Sequence, residues 1–468
     1  MNGVGAGRVI HLVPPNGGGV DRFVRDLVAH RAPDWIVHVS ESQAVVEMPG
    51  GDFVPLARGA LDGLAAAGAL GRPVALHAHA TTAEVRDLAG ALRAVTGAPC
   101  VLTLHDIGFD DAAAGAAEHA ERLRFARAAA VRTAPSRYIA ERAQAALGTG
   151  APCRRVENGV DAPAPLERDV PGAPPGPFDV AVIGALGEHK GLVALLKTAA
   201  LLPPGLRVVI LGYTAQQLMP GWALPQRVWM HGVFEPPELP SLARHYGARL
   251  ALFPPGMPES YCYALSDAWL AGLPALVPDH GALGERVRRH GGGTVYDPAL
   301  PPVALAQRIA AQLAVADPEA ARRAAAALCP VRTMVAAMNG IYDEVGGEEV
   351  QADQARLRAQ AQTHLDTRFF RKELLRLQGE LQAAADERVH LRASIEQQRR
   401  ATERLAALEH EADEARARFE AERAALTRQR DEARARHAAL VARLTRPLRV
   451  LPPALRERVI RLGRRLLP

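Results

Sequence analysis

The stretch that decides the fold is Pro258-Glu-Ser-Tyr-Cys-Tyr-Ala-Leu-Ser-Asp-Ala-Trp-Leu-Ala-Gly-Leu-Pro274. It follows an apolar run, Arg249 to Phe253, that is typical of a buried strand. Its second half has the pattern of a helix that ends at Gly272. Glu259 therefore lies in a loop and Asp267 lies two turns into the helix. Two carboxylates beside the free N–H groups of a helix N-terminus form a natural site for hydroxyl and phosphate groups.

The sequence around this stretch alternates between strands and helices. The predicted strands are Phe178–Ile183, Leu206–Leu211, Val228–Met230 and Leu250–Phe253, and the predicted helices are Gly191–Leu202, Pro237–Tyr246, Tyr261–Ala271 and Leu283–His290. Such alternation predicts a parallel, doubly wound α/β sheet. A segment rich in Pro and Gly, Ala162 to Pro177, precedes it and predicts a domain boundary.

The N-terminal part begins with a strand, Arg8 to Val13, which is followed by a Gly-rich segment, Pro14 to Gly19, and by a helix. A strand, a Gly-rich loop and a helix in this order can bind an anion at the helix N-terminus. The sequence has neither the P-loop motif nor the Gly motif of dinucleotide-binding proteins. On shape alone, a tight turn is the simpler interpretation. His77 and His79 form a His-x-His pair on a predicted strand end. Because no third ligand lies at a recognisable spacing, we expect no metal there.

These segments resemble the retaining glycosyltransferases of the GT-B fold, family 4 in particular, and their bacterial surface-polysaccharide branch. Glu259 and Asp267 match the E-x7-E segment of that family, although the family usually has Glu where this chain has Asp267. Gly184-Ala-Leu-Gly-Glu-His-Lys-Gly191 resembles the Gly-Arg-Leu…Lys-Gly segment, with Ala185 in place of the usual Arg. Ala134–Tyr138 and Val156–Asp161 resemble motifs that close the first domain. The resemblance covers roughly residues 8–345.

The resemblance implies two Rossmann-like domains that face a cleft. Residues 1–165 would form the acceptor-side domain and residues 178–345 the nucleotide-sugar-binding domain. The residues it implies are catalytic His105, Glu259 and Lys190, and donor-binding Gly18, Gly19, Lys190, Glu259, Tyr261, Cys262, Tyr263 and Asp267.

The resemblance also implies what each residue does. Lys190 would hold the diphosphate, with the backbone N–H groups of Tyr261, Cys262 and Tyr263, whose side chains could equally belong to the core. Glu259 would lie near the sugar hydroxyls and the developing charge, and Asp267 would bind the ribose. His105 would lie near the transferred sugar, with Asp106 next to it as the residue that orients it.

Displacement of a nucleoside diphosphate needs a stabilised leaving group, which many enzymes obtain from a metal held by Asp-x-Asp. No Asp-x-Asp occurs in this chain. Fixed positive charge, that of Lys190 above all, would then stabilise the leaving group. We therefore expect no metal and no other cofactor.

Composition limits the alternatives. The 468 residues leave room for two or three domains. The four cysteines show no pair spacing, which argues against a disulfide framework and fits a reducing compartment. No signal peptide and no apolar stretch of membrane-spanning length is apparent in the sequence, so we expect a cytoplasmic protein.

After Gly347 the composition changes to Ala, Glu, Arg, Gln and Leu. A heptad pattern predicts a long helix over residues 350–442 that forms a coiled coil to about Leu405 and supports homo-oligomers. Residues 443–468 hold eight arginines and one glutamate, a net +7, so the rest of the chain totals −2 against +5 overall. This argues against a nucleic-acid partner. Two interpretations stay open: a basic amphipathic tail on the anionic inner membrane face, or a coiled-coil terminus packed on the body.

The expected function is transfer of a sugar, with retention, from a nucleotide-sugar donor to a saccharide or lipid-linked acceptor in bacterial surface glycan biosynthesis, such as that of lipopolysaccharide. Two alternatives remain. The departures at Asp267 and Ala185 fit a GT-B scaffold that has lost turnover and assembles through its coiled coil. An NDP-sugar epimerase shares the fold, but Glu259, Asp267 and Lys190 favour transfer. The sequence does not identify the nucleotide, sugar, acceptor, linkage or oligomeric state.

Overall fold

The computed structural model describes residues 7–14, 18–31, 34–40, 43–49, 52–57, 71–150, 152–166, 177–214, 227–346, 420–440, 442–443 and 452–466. Residues 1–364 form one compact unit and residues 365–468 a second. The first unit contains two sheets, each enclosed by helices, and the candidate site belongs to this unit.

The first sheet has eight strands in the order β4-β3-β2-β1-β5-β6-β7-β8. Its strands are β1 (Val9–Val13), β2 (Trp35–Val39), β3 (Gln43–Met48), β4 (Asp52–Ala57), β5 (Ala75–Ala78), β6 (Cys100–Thr103), β7 (Val131–Ala134) and β8 (Cys153–Arg155). All neighbours are parallel except at β3, which pairs antiparallel with both β2 and β4. The strand order reverses between β1 and β5. Side chains at the carboxyl ends of those two strands therefore border a crevice.

The second sheet has six parallel strands in the order β11-β10-β9-β12-β13-β14. They are β9 (Val180–Ile183), β10 (Val208–Leu211), β11 (Val228–Gly232), β12 (Leu250–Leu252), β13 (Ala275–Pro278) and β14 (Gly293–Tyr296). This is the strand order of a doubly wound nucleotide-binding sheet, with its reversal between β9 and β12. The predicted α/β fold class is confirmed.

Helices cover both sheets. They are α1 (Gly18–Ala29), α2 (Ala83–Thr96), α3 (Ala116–Ala128), α4 (Arg137–Leu147), α5 (Leu192–Ala199), α6 (Leu239–Tyr246), α7 (Tyr263–Leu270), α8 (Gly281–His290), α9 (Pro302–Ala314), α10 (Pro318–Ala326) and α11 (Val331–Val345). Helix α11 returns to the first domain, because Met334, Met338 and Tyr342 are buried in one cluster with Val9 and Phe23. The start of α11 is tied to the end of the first domain by a hydrogen bond from the Val331 N–H to the Asp161 carboxylate (3.0 Å).

By length and composition alone, Pro318–Val345 could cross a membrane. In the structure this segment is two helices, α10 and α11, with Pro330 directly before α11. The apolar side chains of α11 face the core of the first domain, which accounts for the hydropathy of the segment.

In the second unit, residues 420–440 are helical and exposed within the chain. Helix α12 (Pro453–Leu466) carries the exposed apolar residues Leu455, Val459 and Ile460 among its arginines. The predicted helical extension is thus confirmed in these parts. The predicted coiled-coil segment, residues 374–405, lies outside the described residues.

Candidate active site

Two loops meet where the strand order of the second sheet reverses. The loop after β9 ends at Gly191, and the loop after β12 runs past Pro255 and Met257. The Met257 N–H donates to the His189 carbonyl (2.7 Å). Gly191 has φ +81, and a Cβ there would overlap the Pro255 carbonyl, so this close approach requires glycine. The packing fixes Lys190, at the end of the first loop, against the second.

Lys190 and Glu259 form an ion pair across these loops, with Nζ 3.2 Å from Oε1. The side chains are 42% and 26% exposed, so both can reach a ligand. Burial by itself would lower the pKa of Lys190, but Glu259, with smaller contributions from Cys262 and Tyr213, outweighs burial and the pKa is raised. Lys190 therefore keeps its positive charge at neutral pH. The structure brings together the two residues for which the sequence predicted catalytic roles at the diphosphate and the sugar.

The backbone of Glu259 is held by the start of α8. Its carbonyl accepts a hydrogen bond from the Ala282 N–H (2.9 Å). Gly281 has φ +58, and a Cβ there would lie 2.8 Å from the same carbonyl oxygen. The carboxylate therefore projects from a loop whose backbone is fixed, which is what a preorganised charge needs.

The next three residues, Tyr261, Cys262 and Tyr263, lead into α7. Cys262 has φ +71, the one positive φ among the described non-glycine residues. Arg286 of α8 is buried and donates to the carbonyls of Tyr261 (3.0 Å) and Cys262 (2.9 Å). With both carbonyls turned toward Arg286, no described residue accepts a hydrogen bond from the N–H groups of Tyr261, Cys262 or Tyr263. These N–H groups remain free for an anion at the helix start.

The side chains of this segment are structural. Tyr261 is 2% exposed and donates its hydroxyl to the Asn158 carbonyl (2.9 Å). Tyr263 is 9% exposed and packs in the same apolar cluster. Burial raises the pKa of Cys262 to about 12, so its thiol stays protonated and is no nucleophile at neutral pH. Of the two interpretations that the sequence left open for these side chains, burial in the core is correct.

The two domains contact each other through α1 and α7. The Arg22 Nη1 donates to both carboxylate oxygens of Asp267, each at 3.0 Å, and the guanidinium lies 4.4 Å from the Tyr263 ring centre. A Cβ on Gly19 would lie 3.4 Å from the Tyr263 ring, whereas one on Gly18 would meet no atom within 4 Å. Burial raises the pKa of Asp267, and Arg22 opposes that rise. The predicted ribose ligand Asp267 is therefore engaged by Arg22 in this structure.

His105 follows β6 and is 9% exposed. Its Nε2 lies 3.0 Å from Nδ1 of His79, and its ring packs edge-on against Phe23 of α1. The expectation that Asp106 orients His105 is wrong. The Asp106 carboxylate instead accepts from the Gly108 N–H (2.7 Å), as short polar side chains do at turns.

The structure adds a third histidine that the sequence spacing did not indicate, because ring nitrogens of His11, His77 and His79 lie within 4.8 Å of one another. Every ring nitrogen of the three is nevertheless already directed at a hydrogen-bond partner. His79 uses opposite ring nitrogens for His11 and His105, while His77 contacts Tyr342 (2.6 Å) and Thr103 (2.7 Å). A metal needs nitrogens that point at a common centre. The geometry thus favours a hydrogen-bonded chain over a metal cage.

Sequence reasoning missed Arg22, Arg286, His11 and Asp34. The signal for Arg286 was its position on the apolar face of α8, where an unpaired arginine would be costly. Arg22 and Asp34 gave no such signal, because their partners are distant in the sequence. His11 was visible as a polar residue inside an otherwise apolar strand.

Two family models match the body of the chain. Residues 17–162 match the model described as Glycosyltransferase Family 4, and residues 164–327 match the model described as Glycosyl transferases group 1. No curated protein sequence matches the chain. The resemblance to GT-B glycosyltransferases that the sequence motifs indicated is confirmed.

Solved structures give the same fold. HepE of Anabaena in complex with UDP and glucose is 16% identical, with a TM-score of 0.53, and the match covers 72% of this chain and 100% of that one. Sucrose-phosphate synthase of Thermosynechococcus elongatus is 15% identical, with a TM-score of 0.53 and coverage of 72% and 98%. The lipopolysaccharide outer core galactosyltransferase WaaB is 13% identical, with a TM-score of 0.50 and coverage of 72% and 99%.

Proposed function

We propose that this chain, whose body is that of a GT-B glycosyltransferase, transfers a sugar from a nucleotide-diphosphate donor to a saccharide or lipid-linked acceptor. The transfer retains the configuration of the sugar and needs no metal. The product belongs to a bacterial surface glycan, and the enzyme works in the cytoplasm at the inner face of the membrane.

The observation that carries the proposal is the Lys190–Glu259 pair at the strand-order reversal of the second sheet. Ligands of doubly wound sheets bind at such a reversal. There Lys190 and the free N–H groups at the start of α7 offer positive charge to a departing diphosphate. Glu259 offers negative charge to the oxocarbenium-like sugar and accepts hydrogen bonds from its hydroxyls. Fixed charges of this kind stabilise a transition state without reorganisation.

Metal independence is supported by the absence of Asp-x-Asp from the sequence and by the presence of Lys190 where the diphosphate would lie. Transfer should therefore continue in EDTA. A complete loss of activity that added Mg²⁺ or Mn²⁺ restores would contradict this part of the proposal.

The remaining parts of the proposal have other supports. The Anabaena protein was solved with UDP and glucose, which favours a nucleotide sugar as donor, and WaaB is a lipopolysaccharide galactosyltransferase by its description. Retention and the surface-glycan setting come from the resemblance of residues 258–274 to family 4. The basic helix α12, with its exposed apolar residues, supports contact with an anionic membrane.

Two rivals remain. A scaffold without turnover is motivated by Asp267, whose oxygens are engaged by Arg22, and by Ala185. An epimerase would bind the same donor but needs no acceptor. Release of nucleoside diphosphate in the presence of an acceptor separates transfer from both.

The test begins with a panel of nucleotide sugars in a thermal-shift assay, because a bound donor raises apparent stability with the logarithm of its excess over Kd. The donor that binds is then used in transfer assays of Lys190→Ala and Glu259→Ala. Each variant should melt as the parent does and lose about 10²–10³-fold in kcat, the usual cost of one preorganised charge. Lys197→Ala is the matched control, since Lys197 is an exposed lysine on α5, the helix that begins directly after Gly191. Near-normal turnover in either site variant would refute the assignment.

A further inference from the structure

A continuous line of hydrogen bonds joins His105, which follows β6, to the buried carboxylate of Asp34, which directly precedes β2. From His105 Nε2 the line passes to His79 Nδ1 (3.0 Å), and from His79 Nε2 to His11 Nδ1 (3.0 Å). It ends where His11 Nε2 lies 3.3 Å from Asp34 Oδ2. All four side chains are buried. No step of the proposed transfer uses His79, His11 or Asp34, so their alignment needs a separate explanation.

Asp34 can only accept hydrogen bonds in this setting. Its Oδ2 also receives the Nε–H of Arg31 (2.8 Å), and its Oδ1 receives the backbone N–H of Val9 (2.9 Å). A proton on either oxygen would face a donor that already points at it. The hydrogen of the His11–Asp34 contact therefore lies on His11 Nε2.

The carboxylate then determines each tautomer in turn. Taken as a neutral imidazole, which has one N–H and one lone pair, His11 with its hydrogen on Nε2 has an acceptor at Nδ1. His11 Nδ1 then accepts a hydrogen bond from the Nε2–H of His79. His79 Nδ1, the other ring nitrogen, in turn accepts a hydrogen bond from the Nε2–H of His105. Burial lowers the pKa of His79 well below its usual range and that of His105 to about 3, which keeps both rings neutral.

We propose that Asp34, acting through His11 and His79, fixes His105 in the tautomer that carries hydrogen on Nε2 and leaves Nδ1 as a hydrogen-bond acceptor. No described residue donates a hydrogen bond to this Nδ1. His105 lies at the carboxyl-terminal edge of the first sheet, next to the strand-order reversal between β1 and β5.

For the enzyme, and resting on the proposed function, this means that His105 selects a ligand hydroxyl. A nitrogen that accepts hydrogen bonds binds a hydroxyl group of the donor sugar or of the acceptor substrate. The same nitrogen repels a carbonyl or carboxylate oxygen. Asp34, His11 and His79 are positioning residues in this scheme, since they act on the ligand only through His105. The polarity of the second ring nitrogen of His105 is thereby determined by a carboxylate three side chains away.

The direct test is the tautomer of each histidine in the full chain, read from long-range ¹H–¹⁵N correlation spectra of histidine-labelled protein and assigned with His105→Gln. His11, His79 and His105 should all carry hydrogen on Nε2. A hydrogen on Nδ1 of His105, or a mixture of its tautomers, would overturn the proposal. This result depends neither on the donor nor on turnover, so it stands apart from the proposed function.

Two variants test whether the line of hydrogen bonds is the cause. His11→Phe should release His105 into a mixture of tautomers and lower kcat/KM roughly three- to tenfold, the effect of one neutral hydrogen bond, while UDP or the matching free nucleotide binds unchanged. His77→Phe is the matched control, because His77 is equally buried beside the line but bonded to Tyr342 and Thr103. It should keep the tautomer. If His105 in the His11→Phe variant still shows only the tautomer with hydrogen on Nε2, the role of Asp34 is refuted. If that variant does not fold, the tautomer of His105 in the parent protein is the test of the proposal.

Discussion

At the scale of single residues, Asp267 shows how a motif position can be correct while its contacts are not foreseeable. Its place on α7 was evident from the spacing to Glu259, but the Arg22 that binds both its oxygens comes from the other domain. If Asp267 binds ribose hydroxyls as the family resemblance implies, the donor has to replace Arg22. The ion pair then acts as a competitor of the donor.

Arg22→Met should therefore raise the affinity of the donor found in the thermal-shift panel. A partly exposed ion pair contributes up to ~1 kcal/mol, so the gain should reach at most about fivefold in Kd by calorimetry. Arg25→Met is the control, because Arg25 lies on the same helix but pairs with Asp21 and Glu47 of its own domain. A tenfold loss of affinity in Arg22→Met would mean instead that Arg22 itself binds the donor.

The limits of sequence reasoning are clear at this scale. Lys190 and Glu259 could be placed together, since each follows a strand of a recognisable parallel sheet. Asp34 and His11 could not be, because their contact depends on β1 and β2 being neighbours in register, and strand β2 was not predicted. Residues that act through distant partners become apparent only when the topology is known.

At the scale of elements, the repeated change between strand and helix was enough to predict four of the six strands of the second sheet, but not β13 and β14. In the first sheet the hairpin of β3 and β4 was missed, although Pro49-Gly50-Gly51 is a turn signal between them. The less expected feature is the polar interior of β1 and β5, where His11 and His77 take positions that strands of a parallel sheet usually give to aliphatic residues. A buried histidine whose pKa is lowered, as that of His77 is, makes stability depend on pH.

We predict that the body loses stability as pH falls below about 6.5. Burial lowers the pKa of His77 and His79 well below the usual range and that of His105 to about 3. Below pH 6.5 the unfolded chain binds protons that the folded chain does not, so acid favours unfolding. Between pH 7 and 5.5 each histidine should cost roughly 1 kcal/mol, measured as the shift in urea-induced unfolding.

His77→Phe should remove the part of this pH dependence that His77 contributes, and so weaken it measurably. His437→Ala, which changes an exposed histidine of the second unit, should leave it unchanged. Equal pH dependence in the two variants would show that the buried histidines do not cause it.

At the scale of the whole molecule, the chain joins a body with a recognisable fold to a second unit that begins near residue 365. The body carries every residue of the candidate site. The second unit has a different composition, with a net charge of +7 concentrated in residues 443–468. We expect the body to bind the donor and react, and the extension to determine association and location.

The last prediction separates those two roles by truncation. A chain that ends at Gly347 should be a monomer by light scattering and should keep donor binding, because the closing helix α11 and both sheets remain intact. A chain that ends at Ala442 is the control: it should still self-associate through residues 374–405 but lose binding to anionic vesicles. Each arginine near such a surface contributes ~1 kcal/mol, so removal of eight arginines and their apolar neighbours leaves too little attraction for stable contact. An oligomeric chain ending at Gly347 would place association in the body, and vesicle binding by the chain ending at Ala442 would place the membrane contact elsewhere.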